Sequence, residues 1–509
     1  MRVYQRRLIW LIGFVSIIKL LVAGSMELGN DEVYYWTYAL QPDWNHFDHP
    51  PMVGLLIRLS TFNLLLVNDL TMRLGAIACS GLAAWLLYRT GDSIAHERTG
   101  WYAALIYLAA VYSSIIAGLF IMPDSPQVLF WVWALYLMAR LLEQDGRGSH
   151  YWLLLGLAIG LATLSKVHGL YLWAGFGLFI LISRRNWLKH WALYVGVVIT
   201  LMCIVPIVYW NYANDFITYK FHSERVTNTS LQWDMLLREI LGELAYQNPV
   251  VFVAIVLALL RIKQLKYRFL FNDVWVWILC MSVPMIVLFW GVSLFNPTLP
   301  HWAGPGYIPL YLLAALYLDS ISSYVYPLLI RLAGGLVVFL LVIALLLVNF
   351  APMNFGSQDS EKYGEYCPTL DISGWKDLGK QMKQLVKQDV DDGRMPPDAA
   401  FLSHKWFPAG HLEFYVSRQI GKPLIGAGPL QDIHKFAWMN QSRPQLKIGQ
   451  DAYCIIPSNM NLKIMDLYGK YFRSIEIPSV VKQMRGGKAV RYFYVYRMHE
   501  CIALPPMGF

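Results

Sequence analysis

Two adjacent carboxylates, Asp31 and Glu32, stand directly after the first apolar segment of the chain. Ionisable groups beside a hydrocarbon boundary are costly unless they are paired or functional. A carboxylate held there suits a general base that removes a proton from a substrate hydroxyl. The same two residues would also suit a solvated loop or the cap of a short helix. Both interpretations fit the pair when it is taken alone.

An aromatic run follows these carboxylates. Its members are Tyr34, Tyr35, Trp36, Tyr38 and Trp44. Aromatic residues are common at membrane surfaces, where they form an interfacial belt. They could instead stack on a sugar ring and a polyprenyl chain. Taken alone, the run favours the belt.

Imidazole and carboxylate groups then occur together at His46, Asp48 and His49. These groups are suitable ligands for a divalent metal ion. They could equally hold a phosphate or lie at a wet interface. His49 precedes Pro50, which restricts its backbone to extended conformations. The sequence therefore leaves a metal site open at these three residues.

Asp124 begins an apolar segment after Met122 and Pro123. An aspartate there is a favourable helix cap, and it also supplies a second carboxylate for one site. Lys166 and His168 lie in a turn between two apolar segments. Their charge could anchor a lipid headgroup or stabilise the phosphate that leaves a sugar.

Other loops supply weaker candidates for contacting such a phosphate. Arg225 lies in a long polar loop together with Lys220 and His222, and His301 precedes a later apolar segment. For each of these residues, a lipid anchor or an ordinary loop residue is the simpler interpretation.

Composition indicates a membrane protein that crosses the bilayer many times. Hydrophobic residues make up 57% of the 509-residue chain and charged residues only 15%, whereas soluble domains average about a quarter charged. The net charge of +9 lies in short loops, as the positive-inside rule requires, so nucleic acid is not expected as a partner. The six cysteines have no C-x-x-C spacing, so no zinc or redox motif is present. At most one disulfide could form among Cys367, Cys454 and Cys501.

Apolar segments long enough for a bilayer number about eleven. They lie near residues 8–24, 70–89, 101–118, 125–142, 151–164, 169–183, 191–210, 249–261, 273–294, 304–319 and 332–350. The first is predicted to be an uncleaved helix rather than a signal peptide. Segment 51–67 is predicted to lie in the interface. The basic loops then share the cytoplasmic side, and the candidate residues share the outer side.

The composition changes after Phe350, and residues 351–509 are polar enough for one soluble domain. Alternating or apolar runs predict strands at Ala399 to Ser403, Ala452 to Pro457 and Ala489 to Tyr496. Apolar spacing predicts an amphipathic helix from Gly374 to Val390. The sequence therefore predicts a membrane domain at 1–350 and an extracytoplasmic α/β domain at 351–509.

The order of these motifs resembles the polyprenyl-phosphate-sugar glycosyltransferases of the GT-C fold. The similarity is to the superfamily of protein O-mannosyltransferases and aminoarabinose (lipid A) transferases. It depends on Asp31-Glu32, on Pro50-Pro51, on Asp124 after Met-Pro, on Lys166 and on the outer C-terminal domain. It covers residues 1–350 and is strongest over 29–60 and 118–170. The resemblance implies a polytopic α-helical GT-C membrane protein.

The resemblance also implies roles for individual residues. Asp31, with Glu32 beside it, would be the base or the substrate-orienting carboxylate. Asp124 would be its partner across a cavity, and Lys166 would contact phosphate. The aminoarabinose transferases have Lys-Pro-Pro where this chain has His49-Pro50-Pro51. Either a protonated His49 replaces that lysine or other cations do.

The expected function is therefore transfer of a sugar from a polyprenyl-phosphate donor to a cell-envelope acceptor, which could be lipid A or lipopolysaccharide, another glycan or a protein. Direct displacement would invert the anomeric centre. The expected location is the outer, periplasmic face of a bacterial cytoplasmic membrane. The residues expected to bind substrate are His46, His49, Lys166, His168, Arg225 and His301. The sequence leaves open whether a divalent metal ion is required. A glycolipid flippase is the alternative, although it would place charges near the midplane in two related halves. A glycan receptor with a membrane anchor is a third, for which eleven spans are too many.

Overall fold

The computed structural model describes residues 3–224 and 230–509. Contacts divide the chain into two compact units. The first unit contains Met1–Leu21 and Asp43–Leu340, and the second contains Val22–Pro42 and Leu341–Phe509. The sequence-based boundary at residue 350 placed 22–42 with the membrane part. The structure groups this segment with the C-terminal unit instead.

The helices up to residue 350 belong to the first unit, except for the parts within residues 22–42 and 341–350. They are α1 (Val3–Ser25), α2 (Asn30–Leu40), α3 (Met52–Ser60), α4 (Asp69–Ile94), α5 (Glu97–Ala109), α6 (Asp124–Glu143), α7 (Ser149–Ser165), α8 (Tyr171–Ser183), α9 (Trp191–Ala213), α10 (Ile217–Glu224), α11 (Trp233–Tyr246), α12 (Pro249–Leu260), α13 (Ile262–Leu265), α14 (Val274–Ser293), α15 (Gly304–Ile321) and α16 (Leu328–Phe350). A π-helical turn at Tyr112–Ile116 follows α5, and short 3₁₀ turns lie at Val167–Leu170, Arg185–Lys189 and Lys266–Arg268.

Ten of the eleven predicted membrane segments coincide with one of these helices within a few residues, whereas 101–118 covers the end of α5 and the π-helical turn at Tyr112–Ile116. Within the described residues, six helices are long and apolar enough to cross a bilayer, or seven if the bent pair α11 and α12 forms one span. The other predicted spans lie on shorter helices, so the count of eleven stays a prediction. The protein is a multi-pass membrane protein. Segment 51–67 contains the short helix α3, and its place in the interface stays a prediction.

Close contact between α7 and α9 depends on small residues. A Cβ added to Gly156 would lie 2.0 Å from the carbonyl oxygen of Gly196. The hydroxyl of Thr200 donates a hydrogen bond to the Gly156 carbonyl at 2.7 Å. Small residues allow membrane helices to approach until their backbones touch, because lipid supplies no hydrophobic force between them. Gly156 therefore sets the distance between these two helices.

The second unit adds helices and strands after residue 350. These are α17 (Pro368–Asp371), α18 (Trp375–Asp391), β1 (Ala400–Ser403), α19 (Trp406–His411), α20 (Arg418–Ile420), β2 (Leu424–Gly426), α21 (Leu430–Ile433), α22 (Phe436–Gln441), β3 (Ala452–Pro457), α23 (Ile464–Tyr468), β4 (Phe472–Ile475), β5 (Ser479–Arg485) and β6 (Lys488–Cys501). A 3₁₀ turn at Ser360–Lys362 and a π-helical segment at Leu412–Ser417 complete it. The predicted helix near 374–390 and the three predicted strands are all present.

One mixed six-stranded sheet organises this unit. Its strands lie in the order β2-β1-β3-β6-β4, and β5 also pairs with β6. Strand β1 is parallel to β2 and β3, whereas β6 is antiparallel to β3, β4 and β5. Leu402, Ile425, Cys454 and Met498 from four strands share one buried core. All six cysteines are free thiols, so the disulfide left open for the C-terminal part does not form.

Candidate functional site

The centre of the first unit holds a buried ion pair between Asp124 and Lys166. The Lys166 Nζ lies 3.0 and 3.2 Å from the two Asp124 carboxylate oxygens. The side chains are only 2% and 4% exposed. Asp124 begins α6 and Lys166 directly follows α7, so the contact joins two helix ends. Buried charges persist in proteins only when they are paired and hydrogen-bonded, so each group fixes the other.

Tyr112 is a further hydrogen-bond partner of Asp124. Its hydroxyl donates to the Asp124 carboxylate at 2.9 Å. Tyr112 begins the π-helical turn after α5, and such turns are frequent at functional sites because they redirect side chains. Gly304 provides the space, since a Cβ there would lie 2.5 Å from the Tyr112 ring. No motif in the sequence marked this tyrosine, which lies inside an apolar segment.

Three of the predicted substrate-binding histidines interact electrostatically with this ion pair. Electrostatic interactions with both Asp124 and Lys166 reach His49, His168 and His301. Burial lowers the pKa of His49 to about 4, although the Asp48 carboxylate opposes this shift. Burial and the Lys166 cation lower the pKa of His301 to about 4. Both imidazoles are therefore neutral at pH 7, and each has a ring N–H that can donate to an anion.

Helix α11 positions His301 through one of its faces. Tyr246 stacks on the His301 ring with centroids 6.2 Å apart, and Glu239 accepts a hydrogen bond from the Thr298 hydroxyl at 2.7 Å. Glu243, one turn after Glu239, accepts from the Trp290 indole and the Tyr307 hydroxyl, both at 2.7 Å. These helix positions repeat every three to four residues, as one packed face requires. These buried glutamates lie in a stretch that the sequence predicts to be a long polar loop, so no sequence pattern marks them.

A metal requirement at His46, Asp48 and His49 stays a prediction. Among residues 3–224 and 230–509, no group of three His, Cys, Asp or Glu side chains is close enough to hold a metal ion. The three residues lie in a turn, where the His46 amide donates to the His49 carbonyl at 3.1 Å. His222 is bound to this turn through the Asp48 carbonyl at 2.9 Å. The turn therefore orders the histidines through its backbone.

Of the remaining predicted substrate-binding residues, Arg225 lies outside the described residues. His46 is buried, and its carbonyl accepts a hydrogen bond from the Thr218 hydroxyl at 3.2 Å. His222, a weaker candidate, lies beside His49 with ring centroids 6.2 Å apart. The structure thus gathers His49, Lys166, His168 and His301 around Asp124 and leaves His46 in the supporting turn.

Asp31 and Glu32 belong to the second unit, on helix α2. The Glu32 carboxylate accepts a hydrogen bond from the Gly29 amide at 2.9 Å, which caps the start of that helix. Glu32 is 2% exposed, whereas Asp31 is exposed. The helix-cap interpretation therefore holds for Glu32. Of the two carboxylates, Asp31 is the accessible one.

The aromatic run after these carboxylates is buried rather than spread along an interface. Tyr34 packs on Trp406 with centroids 5.1 Å apart. Trp36 packs edge-on against Phe414 at 5.4 Å. Only Trp44 of the run is exposed, at 61%. The interfacial belt that the run favoured is therefore wrong, because α2 buries these rings in the core of its own unit.

Known proteins are similar to parts of this chain in sequence and to its fold. The family model described as dolichyl-phosphate-mannose-protein mannosyltransferase matches residues 48–210. Lipid A galacturonosyltransferase RgtD of Rhizobium johnstonii is 24% identical over 321 residues, which span 58% of this chain and 65% of that protein.

Two solved structures match nearly the whole chain. ArnT from Cupriavidus metallidurans matches with TM-scores of 0.58 in the apo state and 0.57 bound to undecaprenyl phosphate, at 14% and 16% identity. Each match covers 96% of this chain and 97% of the ArnT chain. The chain therefore has the GT-C fold of ArnT with a C-terminal sheet domain, as the resemblance implied.

Proposed function

We propose that this protein is an integral membrane glycosyltransferase. It transfers a sugar from a polyprenyl-phosphate donor to lipid A or a related envelope acceptor on the outer face of the cytoplasmic membrane. The observation that carries this proposal is the buried Asp124–Lys166 pair, surrounded by neutral histidines, in a chain with the ArnT fold. The likeness to a lipid A galacturonosyltransferase supports the acceptor class.

Lys166 stabilises the departing lipid phosphate in this proposal. As the sugar leaves, negative charge develops on the phosphate oxygens, and a fixed cation is worth most in a site that excludes water. Asp124 already accepts hydrogen bonds from Lys166 and Tyr112, so it acts as a positioning residue rather than as a base. His49 and His301 then donate N–H groups to the same oxygens. A lysine at position 49 is therefore not required.

Asp31 is the proposed base, because Glu32 is buried and caps its helix. The Asp31 carboxylate takes the proton of an acceptor hydroxyl, and the hydroxyl oxygen forms a bond to the anomeric carbon. The bond from that carbon to the donor phosphate breaks, and the phosphate keeps the electron pair. Attack from the opposite face inverts the anomeric centre.

The test compares membranes that contain wild-type protein, Asp31→Asn or Asp391→Asn. Asp391 is an exposed carboxylate outside the proposed site and serves as the matched control. Each membrane receives a radiolabelled polyprenyl-phosphate sugar and extracted envelope acceptors. We expect Asp31→Asn to lose about 10²-fold or more of the transfer rate and Asp391→Asn to retain it. Equal transfer by all three would exclude Asp31 as the base, and donor translocation without transfer would favour a flippase.

A further inference from the structure

A groove of about 560 Å³ lies wholly within the second unit. We call it the Tyr366 groove. Its polar and aromatic lining includes Glu365, Tyr366, Asp371, Lys405, Phe407 and Asn461. Neither the mechanism proposed above nor the packing of the sheet uses this groove. Its volume is in the range of pockets that bind small organic ligands.

The lining chemistry suits a saccharide. The Tyr366 ring is 89% exposed, so one apolar face of a sugar ring could stack on it. Asn459 also lines the groove, and its side-chain oxygen is buried without a hydrogen-bond partner among the described residues. A buried acceptor without a partner is costly. A sugar hydroxyl would satisfy it.

The charged side chains that line the groove favour some classes of saccharide over others. Two carboxylates, Glu365 and Asp371, face one cation, Lys405. That cation also lies 3.6 Å from the carboxylate of Asp432, which offsets part of its charge. Among the side chains that line the groove, carboxylates therefore outnumber the cation, which disfavours a phosphate or uronate. A neutral or amino sugar is not disfavoured in this way.

Asp371 in the wall of the groove is linked by a hydrogen bond to Asn30, the residue before Asp31. The Asn30 side chain hydrogen-bonds to the Asp371 carboxylate. The Asn30 oxygen also accepts a hydrogen bond from His411 Nε2 at 2.9 Å. Burial holds the pKa of His411 well below its usual range, so this imidazole stays neutral. The His411 ring stacks on Trp375 at 4.1 Å, which fixes the arrangement.

We propose that the Tyr366 groove binds a neutral or amino-sugar part of the acceptor and presents its hydroxyl to Asp31. This proposal rests on the transferase function proposed above, and it adds the chemical class of the acceptor and the place where it binds. The direct link from Asp371 through Asn30 to the start of α2 is the observation that carries it.

The test measures binding of soluble disaccharides to the full-length protein in lipid nanodiscs by saturation-transfer difference NMR. The probes are cellobiose, a glucosamine disaccharide and digalacturonate. We expect wild-type protein to bind the first two and not digalacturonate. Tyr366→Ala and Asn459→Ala should each weaken binding by about tenfold, since stacking and hydrogen bonds each contribute about that much. Ile477→Ala, at a side chain that is 92% exposed outside the groove, should bind like wild type.

Transfer kinetics separate this proposal from the function on which it rests. Tyr366→Ala should raise the KM for the envelope acceptor and leave kcat within twofold, because the residue binds acceptor and does not take part in the chemistry. Wild-type binding of none of the probes, preferred binding of digalacturonate, or unchanged binding by both variants would overturn the groove proposal. Groove-dependent binding of the first two disaccharides in a protein that transfers no sugar would support the groove and refute the transferase.

Discussion

Replacing the two members of the Asp124–Lys166 pair, singly and together, tests whether they act as one energetic unit. The variants are Asp124→Asn, Lys166→Met and the double variant. Asparagine keeps an oxygen that can accept from Tyr112, and methionine keeps most of the lysine stem. The changes therefore remove charge while preserving volume.

The expected magnitude follows from the geometry. At 3.0 Å and an effective dielectric constant of about 20, the attraction is roughly 5 kcal/mol. Transferring the two charges out of water costs a comparable amount, so the pair adds little net stability. Removing one partner leaves the other charge buried alone, which should lower the free energy of unfolding by about 3–5 kcal/mol. The double variant leaves no buried charge and should lose less stability than either single variant, so its loss should be at least about 3 kcal/mol below the sum of the single losses.

The assay is unfolding of the purified protein in mixed micelles by added SDS, followed through the fluorescence of its 20 tryptophans. A second double-mutant cycle, with Arg473→Met and Glu500→Gln, is the matched control. These side chains form an ion pair at 2.8 Å but are 69% and 41% exposed. Exposed pairs contribute about 0–1 kcal/mol, so that cycle should show little coupling.

Binding of undecaprenyl phosphate distinguishes stability from function. The double variant should fold and yet bind this lipid at least tenfold more weakly than wild type, because the phosphate loses its cation. Single variants as stable as wild type, or a double loss equal to the sum, would refute the account of a desolvated pair. A double variant that binds the lipid normally would refute the phosphate role of Lys166.

Three further predictions follow from the site and the helix packing. His49 and His301 have a pKa of about 4 in the folded protein and about 6.5 in an unfolded chain. Their contribution to stability is therefore present above pH 6.5 and is lost as the pH falls towards 4. Replacing both with glutamine should reduce the difference between the free energies of unfolding measured in SDS at pH 7 and at pH 5. Gly156→Ala should lower the free energy of unfolding by about 1–3 kcal/mol because its methyl group meets a backbone, whereas Gly177→Ala, with no atom within 4 Å, should not lower it. Tyr112→Phe removes a hydrogen bond to a carboxylate and should cost about 1.5–3 kcal/mol in the same assay.

The sequence predicted the elements of the fold well. Ten of the eleven apolar segments assigned to the membrane coincide with a helix within a few residues, because the length and polarity of such a segment are local properties of the chain. The predicted strands ending at Ser403 and Pro457 and the helix near 374–390 are present for the same reason. The GT-C fold was implied by the resemblance in motif order, and the match to ArnT shows it.

The composition of the site was predicted only in part. Asp124, Lys166 and His301 are unusual as charged or polar residues beside apolar segments, so sequence analysis could single them out. Tyr112 and Glu243 could not be found in this way, since a tyrosine in an apolar helix and a glutamate in a polar loop are ordinary. Their importance comes from the partners that they meet.

The pair with which the sequence analysis began, Asp31 and Glu32, shows where local information ends. The sequence determined that two carboxylates and a run of aromatic rings follow the first apolar helix. Only the tertiary structure decided that α2 packs with the C-terminal unit, that Glu32 caps this helix and that Asp31 stays exposed. The physical reason is that burial and pairing depend on contacts between residues hundreds of positions apart, such as Tyr34 with Trp406, which no local pattern encodes.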